Sequence, residues 1–321
     1  MPMKVEDIRS ITVCGAGTIG GGFAAYFSLK GLRVNVLELN EQSKEIAVSK
    51  IQEPIDSYIK HGLAESAEDL WSRIHITTDP GEALTGVYFA LECGPENLDI
   101  KHEMIAVMER YMPPEGIISS SSSGLTASSI AEGAKNPERI IVGHPFNPAY
   151  LLPLIEICVS ENTSQDVIAT AREFFRMHDK APVVLLKEKP GFIANRLMHA
   201  LWREEIALVC EGVCSMADAD DAWTFGPGLR LAAFGPAMNY ELGGGDLGLR
   251  GCAIKFGAMT NSVFADISDM KEVPDIWADL SGDEIGPLME NLPDVIGHTK
   301  PSAAAFRDNT IIELLKMHEK M

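Results

Sequence analysis

Positive charge is scarce in this 321-residue sequence, which has 27 lysine and arginine residues against 46 aspartate and glutamate residues. The formal net charge is therefore −19. An acidic surface repels phosphate backbones and anionic lipids, so this balance disfavours nucleic acids and membrane surfaces as partners. It leaves room for a local basic pocket, and it does not identify a substrate.

Long apolar runs and paired metal ligands are also missing. No stretch approaches the roughly 20 apolar residues that a membrane-spanning helix needs, and the opening MPMKVEDIRSITVCGAG contains no signal-peptide-like apolar region. The six cysteines are scattered among apolar neighbours, and Cys210 and Cys214 lack a second Cys/His pair nearby to complete a zinc site. We therefore expect free thiols, no metal and a cytoplasmic protein.

The first half of the chain alternates short apolar runs with amphipathic stretches. Strands separated by helices are typical of a doubly wound parallel sheet, so this half is predicted to be α/β. The predicted strands cover residues 10–14, 33–39, 87–92, 116–120, 140–143, 154–159 and 182–186, and the first predicted helices cover 19–30, 42–60 and 98–112.

Strand patterns nearly vanish after Lys189-Pro190-Gly191, and helical periodicity dominates from there to the end of the chain. A Pro-Gly pair at a change of texture is a candidate domain boundary. We therefore predict an α/β domain over residues 1–188 and an all-helical domain over residues 189–321.

A glycine-rich turn follows the first predicted strand and opens the first predicted helix. It reads Gly15-Ala16-Gly17-Thr18-Ile19-Gly20, a G-x-G-x-x-G pattern whose strand–turn–helix context disfavours an accidental match. Gly15 allows a tight turn, Gly17 lets a pyrophosphate approach the backbone, and Gly20 permits close helix–strand packing. The helix N-terminus faces the phosphates in such folds. The sequence therefore predicts a Rossmann-type domain in which Gly15, Gly17, Thr18, Ile19 and Gly20 bind a dinucleotide.

Glu38 ends the second predicted strand, eighteen positions after Gly20. At this spacing a carboxylate accepts hydrogen bonds from an adenosine ribose and repels a 2′-phosphate. No lysine or arginine follows until Lys44. The sequence favours NAD over NADP, with a solvated strand-end glutamate as the alternative.

A histidine and a glutamate form the second candidate site. His144 lies in Gly-His-Pro-Phe-Asn-Pro at the end of a predicted strand, and Glu156 follows twelve residues later. A strand-end histidine can take a hydroxyl proton near neutral pH, and a nearby carboxylate would fix its tautomer and stabilise the imidazolium. The sequence does not show that the two side chains touch, so a structural histidine remains an equal alternative.

Five collinear segments resemble the 3-hydroxyacyl-CoA dehydrogenase superfamily over nearly all of residues 8–240. They are GAGTIG, ECGPENLDIK, SSSSSGL, GHPFNPAYLLPLIEI and KPGFIANRL. The resemblance implies a Rossmann-type domain, a helical C-terminal domain that forms a homodimer, and NAD-dependent oxidation of a 3-hydroxyl group. It places the catalytic pair on His144 and Glu156 and the residues that hold the substrate hydroxyl or carbonyl on Ser123 and Asn195. It further implies cofactor contacts from Glu96, Lys101 and Asn147.

Within the superfamily, the chain resembles branches that do not act on CoA esters. FGPGLRLAAFGP is similar to both the carnitine dehydrogenase and the lambda-crystallin/L-gulonate dehydrogenase branches, and ALWREE and LGGGDLGLR are closer to the carnitine branch. The lysine-rich stretch of acyl-CoA members is reduced to Lys60. The resemblance implies a small polar 3-hydroxy acid as substrate, L-carnitine first. The alternatives are L-gulonate, another 3-hydroxy acid, a short 3-hydroxyacyl-CoA, or a non-catalytic NADH-binding protein of lambda-crystallin type.

The helical half contains candidates for binding a quaternary ammonium carboxylate. Aromatic faces hold such cations, and an arginine in a Gly/Pro-rich turn is suited to pair with a carboxylate. Trp223, Phe225 and Tyr240 belong to this aromatic group, although aromatic residues on apolar helix faces are more often core. The candidate substrate-binding residues are Arg230, Trp202, Phe234 and, near His144 in the sequence, Tyr150.

Overall fold

A computed structural model describes residues 4–320. An eight-stranded sheet occupies its N-terminal part, in the order β3-β2-β1-β4-β5-β6-β7-β8. The first six strands follow the order 3-2-1-4-5-6 of a dinucleotide-binding fold, which confirms the predicted fold class. The strands are β1 (Ser10–Cys14), β2 (Arg33–Leu37), β3 (Ile74–Thr77), β4 (Phe89–Glu92), β5 (Ile117–Ser120), β6 (Ile140–Pro145), β7 (Leu154–Cys158) and β8 (Ala181–Val184).

Helices alternate with these strands and then make up the rest of the described chain. Those of the first part are α1 (Thr18–Leu29), α2 (Glu41–Lys60), α3 (Ala67–Trp71), α4 (Pro80–Leu84), α5 (Leu98–Tyr111), α6 (Ala127–Ile130) and α7 (Gln165–Met177). Those that follow are α8 (Ala194–Cys210), α9 (Met216–Trp223), α10 (Leu229–Ala233), α11 (Pro236–Gly243), α12 (Gly248–Asp266), α13 (Ile276–Glu290) and α14 (Lys300–Met317).

Local sequence explains where these elements lie. Every residue of β4, β5 and β6 is buried, as expected for parallel strands covered on both faces. Asn40 caps the start of α2: its side chain accepts a hydrogen bond from the Ser43 amide, and the Ser43 hydroxyl accepts one from the Asn40 amide. Asn97 and Ser164 cap α5 and α7, and each side chain accepts one hydrogen bond from a backbone amide of its helix.

The predicted parallel sheet has one antiparallel pair, β6 and β7. Only residues 146–153 separate these strands, and a parallel crossover needs a dozen or more. Strand β3 was not predicted. Its sequence, Ile74-His75-Ile76-Thr77, is short and half-polar, and it is a strand because it adds to the edge of the sheet beside β2.

The chain forms two compact units, one running to Ala194 and including the C-terminal residues from Leu315, the other spanning Asn195–Leu314. The second unit is helical, and carboxylates tie its helices together. Glu204 of α8 accepts a hydrogen bond from the Ser268 amide beyond α12, and Glu284 of α13 accepts one from Met216 at the start of α9. None of the helices within residues 4–320 combines the length and the apolarity needed to cross a membrane.

The backbones of α1 and α2 lie close together at Gly21. A Cβ at Gly21 would lie 2.7 Å from the carbonyl oxygen of Lys50, so Gly21→Ala should lower the free energy of unfolding by about 1–3 kcal/mol through overpacking. Gly282→Ala is the matched control, because its Cβ would meet no atom within 4 Å and alanine favours the helix interior. Equal stability of the two variants in urea titrations would contradict this packing argument.

Candidate active site

The glycine-rich turn lies between β1 and α1. Gly15 adopts φ +87°, and a Cβ there would come within 3.2 Å of the Cys93 carbonyl oxygen. A Cβ at Gly20 would collide with the carbonyl oxygen of Gly15. Gly17, in contrast, has open space at its Cβ position, directly before Thr18 and Ile19 begin α1. The turn therefore leaves a clear approach to the N-terminus of α1, which is the arrangement that a pyrophosphate requires.

Glu38 follows β2 and reaches back to this turn. Its Oε1 accepts a hydrogen bond of 2.5 Å from the Ala16 amide, inside the glycine-rich turn. A second carboxylate oxygen remains in the same group for a ribose hydroxyl. The open approach at Gly17, the helix N-terminus and this carboxylate together fit a dinucleotide without a 2′-phosphate.

A buried ion pair lies beside the turn, at the carboxyl end of β4. Lys101 of α5 and Glu92 are both fully buried, and the Lys101 ammonium donates to the two Glu92 oxygens at 3.0 and 2.8 Å. Glu92 also accepts from the Gly94 amide and the Ser120 hydroxyl. The structure therefore directs Lys101 towards Glu92, a partner that sequence reasoning missed, and its predicted cofactor contact stays a prediction.

Glu96 organises the serine-rich loop that follows β5. Its Oε1 accepts hydrogen bonds from the Ser122 hydroxyl and from the Ser123 and Gly124 amides, at 2.5, 3.2 and 3.0 Å. Burial would raise the pKa of Glu96, but the bonds from Ser122 and Gly124 and the nearby Lys101 together lower it. The Glu96 carboxylate therefore stays charged. It holds the exposed Ser123 beyond the end of β5.

The antiparallel β6–β7 pair places His144 directly opposite Glu156. The His144 Nδ1 and the Glu156 Oε2 are 3.0 Å apart, and both side chains are buried. A carboxylate at Nδ1 selects the tautomer whose lone pair is on Nε2. The contact that the sequence left open is therefore made, between neighbouring strands rather than within one segment.

The other oxygen of Glu156 holds the start of α8. Oε1 accepts hydrogen bonds from the Ile193 and Ala194 amides at 2.8 and 2.9 Å. Those amides point there because Gly191 and Phe192 both adopt positive φ, 74° and 52°. Positive φ is a strained conformation for a bulky residue such as Phe192, and it persists here because the side chain is buried. Asn195, the predicted partner of the substrate oxygen, is the next residue along α8.

Two aromatic rings cover the His144 imidazole. Phe146 and Phe192 each lie 5.2 Å from it between ring centroids. Sequence reasoning did not identify Phe192, which directly follows the predicted boundary at Lys189-Pro190-Gly191. Both rings are apolar, so they limit the access of water to the His144–Glu156 pair.

The substrate candidates of the helical unit do not form one group. Arg230 lines a cavity of about 290 Å³ with Trp223 and Tyr240. Neither Trp202 nor Phe234, both described and partly exposed, is among its lining residues.

Tyr150 and Asn147 lie on the loop between β6 and β7. The Tyr150 ring packs edge-on against Tyr58 of α2, with 5.9 Å between centroids, which gives this predicted substrate residue a structural neighbour. Asn147 is exposed, three residues after His144. Its cofactor contact stays a prediction.

Comparison with known proteins identifies the family. The sequence profile of the 3-hydroxyacyl-CoA dehydrogenase NAD binding domain matches residues 10–189, and that of the C-terminal domain of the same family matches residues 191–272. The chain belongs to the 3-hydroxyacyl-CoA dehydrogenase family. The resemblance inferred from the five segments is thereby confirmed, as is the use of NAD.

Several proteins similar to this chain are named for the reaction that they catalyse. The L-carnitine dehydrogenase of Streptomyces coelicolor is 32% identical over 97% of this chain and 95% of its own length. That of Pseudomonas putida is 37% identical over 79% of this chain and 78% of its own length. A solved NAD⁺-dependent dismutase, 5-formyl-3-hydroxy-2-methylpyridine 4-carboxylic acid 5-dehydrogenase, is 26% identical and covers 97% of both chains, with a TM-score of 0.77. This 3-hydroxyacyl-CoA dehydrogenase family member is an NAD-dependent dehydrogenase that acts on a CH–OH group.

Changing Glu38→Ala should weaken NADH binding about tenfold, the value of roughly one hydrogen bond to a charged group. It should also lower the ratio of NADH affinity to NADPH affinity, because the variant lacks the charge that repels a 2′-phosphate. Fluorescence titration with both coenzymes measures the two effects. Glu41→Ala, which removes a surface partner of Lys44 instead, is the control. An unchanged coenzyme preference in Glu38→Ala would be incompatible with this placement.

Proposed function

We propose that this protein oxidises the 3-hydroxyl of a small polar 3-hydroxy acid, with L-carnitine as the leading substrate and 3-dehydrocarnitine as its product. The observation that carries the chemistry is the buried His144–Glu156 pair at 3.0 Å. The support for the substrate is the similarity to L-carnitine dehydrogenases over nearly the whole chain.

NAD, when bound at the glycine-rich turn, supplies the acceptor for the hydride that leaves C3. His144 takes the hydroxyl proton on Nε2, because Glu156 occupies Nδ1. The Glu156 carboxylate then stabilises the imidazolium, whose charge would otherwise be buried without a partner. The phenyl rings of Phe146 and Phe192 pack against the imidazole and help to hold it beside Glu156.

Ser123 and Asn195 polarise the developing carbonyl in this mechanism. Ser123 is set at the strand end by Glu96, and Asn195 follows the two amides that Glu156 holds. Preorganised donors of this kind stabilise charge as it develops, without reorganisation during the reaction. Glu96, Lys101 and Asn147 are proposed on the nicotinamide side of the cofactor.

The substrate proposal is supported by chemistry in the helical unit. A trimethylammonium group binds aromatic faces and a carboxylate pairs with a guanidinium. Trp223, Tyr240 and Arg230 line one cavity and offer both. The net charge of −19 would also attract a substrate with a cationic group.

The helical domain is also proposed to form a homodimer, and the protein to be cytoplasmic. Large apolar side chains are exposed on α8 and α12, among them Leu197, Ile254, Met259 and Phe264, each at least 62% exposed. Exposed apolar surface of this extent is typical of an association face.

NADH formation with a panel of 3-hydroxy compounds tests the substrate. We expect L-carnitine to have a kcat/KM at least about a hundredfold above that of 3-hydroxybutyrate, which lacks the trimethylammonium group that an aromatic site would recognise. L-Gulonate and (S)-3-hydroxybutyryl-CoA complete the panel. A preference for either would replace carnitine. Tight NADH binding without any turnover would instead favour the structural, lambda-crystallin-like alternative.

His144→Gln tests the general base. Glutamine keeps a polar side chain but cannot take the proton, so kcat should fall by about 10²–10⁴-fold while NADH binding is unchanged. His75→Gln, which alters an exposed histidine paired with Glu82, should leave both values unchanged. Substantial turnover by His144→Gln would contradict the assignment of His144 as the general base.

A further inference from the structure

Lys180 is a buried lysine with no catalytic part in the mechanism above. It lies between α7 and β8 and is 1% exposed. No ion pair of Lys180 occurs within residues 4–320. The neighbouring Asp179 carboxylate pairs with Lys30 instead, at 2.8 Å. A buried ammonium without a carboxylate is costly, so its other contacts must explain why it is there.

The Lys180 ammonium binds the loop that joins His144 to Glu156. It donates to the Ala149 carbonyl at 2.7 Å and to the Leu152 carbonyl at 3.0 Å. Its third side faces the Tyr26 ring of α1, 3.7 Å from the centroid. Two carbonyl oxygens and an aromatic face therefore partner the buried ammonium group in place of a carboxylate.

Other contacts hold the same loop against α1 and α2. The Tyr58 hydroxyl of α2 donates to the Tyr150 carbonyl at 2.8 Å. At Gly22 of α1, a Cβ would already be 3.4 Å from Ala149 and Tyr150, so helix and loop are in close contact. Lys180 therefore completes a set of anchors on residues 149–152, which begin two residues after the exposed Asn147.

We propose that Lys180 is a positioning residue, which holds the 146–153 loop so that Asn147 and His144 keep their places on the nicotinamide side of the active site. This inference rests on the proposed role of Asn147. It concerns only the nicotinamide half of the proposed cofactor site. The other half is formed by Gly15–Gly20 and Glu38, which follow β1 and β2.

The hydrogen-bond donors matter here more than the charge. Burial and the nearby Lys30 lower the pKa of Lys180 to about 7. An amine that has lost its proton keeps two N–H groups, enough for both carbonyl oxygens. The informative variant is therefore one that removes the donors and keeps the apolar stem, which is Lys180→Met.

Binding of NADH compared with ADP-ribose tests the inference, because ADP-ribose lacks the nicotinamide. For Lys180→Met we expect NADH to bind about tenfold more weakly, as for the loss of about one strong hydrogen bond. ADP-ribose affinity should be unchanged and kcat should fall. Lys30→Met removes a charge in the same neighbourhood but keeps both hydrogen bonds from Lys180 to the loop, and it should behave as the wild type.

Two outcomes would overturn the proposal. One is wild-type kcat and NADH affinity in Lys180→Met, and the other is an equal loss of NADH and ADP-ribose affinity, which indicates a general structural role. If Lys180→Met does not fold, Tyr58→Phe decides, since it removes a single bond to the same loop. It should weaken NADH selectively, and no change there would also reject the proposal.

Asn147→Ala separates this inference from the proposed function. Weaker NADH binding with normal ADP-ribose binding supports Asn147 at the nicotinamide, and Lys180 is then judged by its own variant. If Asn147→Ala binds NADH normally, the assignment of Asn147 fails, and with it the route by which Lys180 would act.

Discussion

The hydrogen bonds of the Glu156 carboxylate are the interactions on which the rest of the candidate active site depends. One oxygen meets His144 and the other receives the Ile193 and Ala194 amides. A buried carboxylate is costly unless its oxygens are hydrogen-bonded, and these three contacts satisfy that requirement. The same group thereby sets the histidine tautomer and fixes where α8 begins. The proposed base and the residues leading to Asn195 are thus held by one side chain.

The site as a whole uses acidic groups in an acidic protein, and each is held by donors. Glu38 is bound by the Ala16 amide, Glu92 by the Lys101 ammonium, and Glu96 by Ser122 and two loop amides. All three follow or end strands near the carboxyl edge of the parallel part of the sheet, where ligands of such folds bind. Local hydrogen bonding, rather than the net charge of −19, decides what each of these carboxylates can do.

Features with a local physical cause were predictable from the sequence. The G-x-G-x-x-G turn and Glu38 could be placed because a strand, a tight turn and a helix succeed one another in the chain. Contacts between distant segments could not. The Glu92–Lys101 pair joins a strand end to a helix, and a lysine is fully buried only where the fold supplies such a partner. Phe192 was missed because its role follows from two left-handed residues in a turn, a conformation that only the folded chain displays.

The sequence by itself determined the α/β class, the dinucleotide turn, the NAD preference and the family. Each of these follows from residue types and their spacing within short segments. Only the tertiary structure decided that His144 and Glu156 meet. Their contact requires β6 and β7 to run antiparallel, and that direction follows from a connection too short for a crossover helix. Likewise, only the fold brings Lys180 to the loop between them. A register across two strands and a contact across a core depend on where the whole chain packs, so no single segment encodes them.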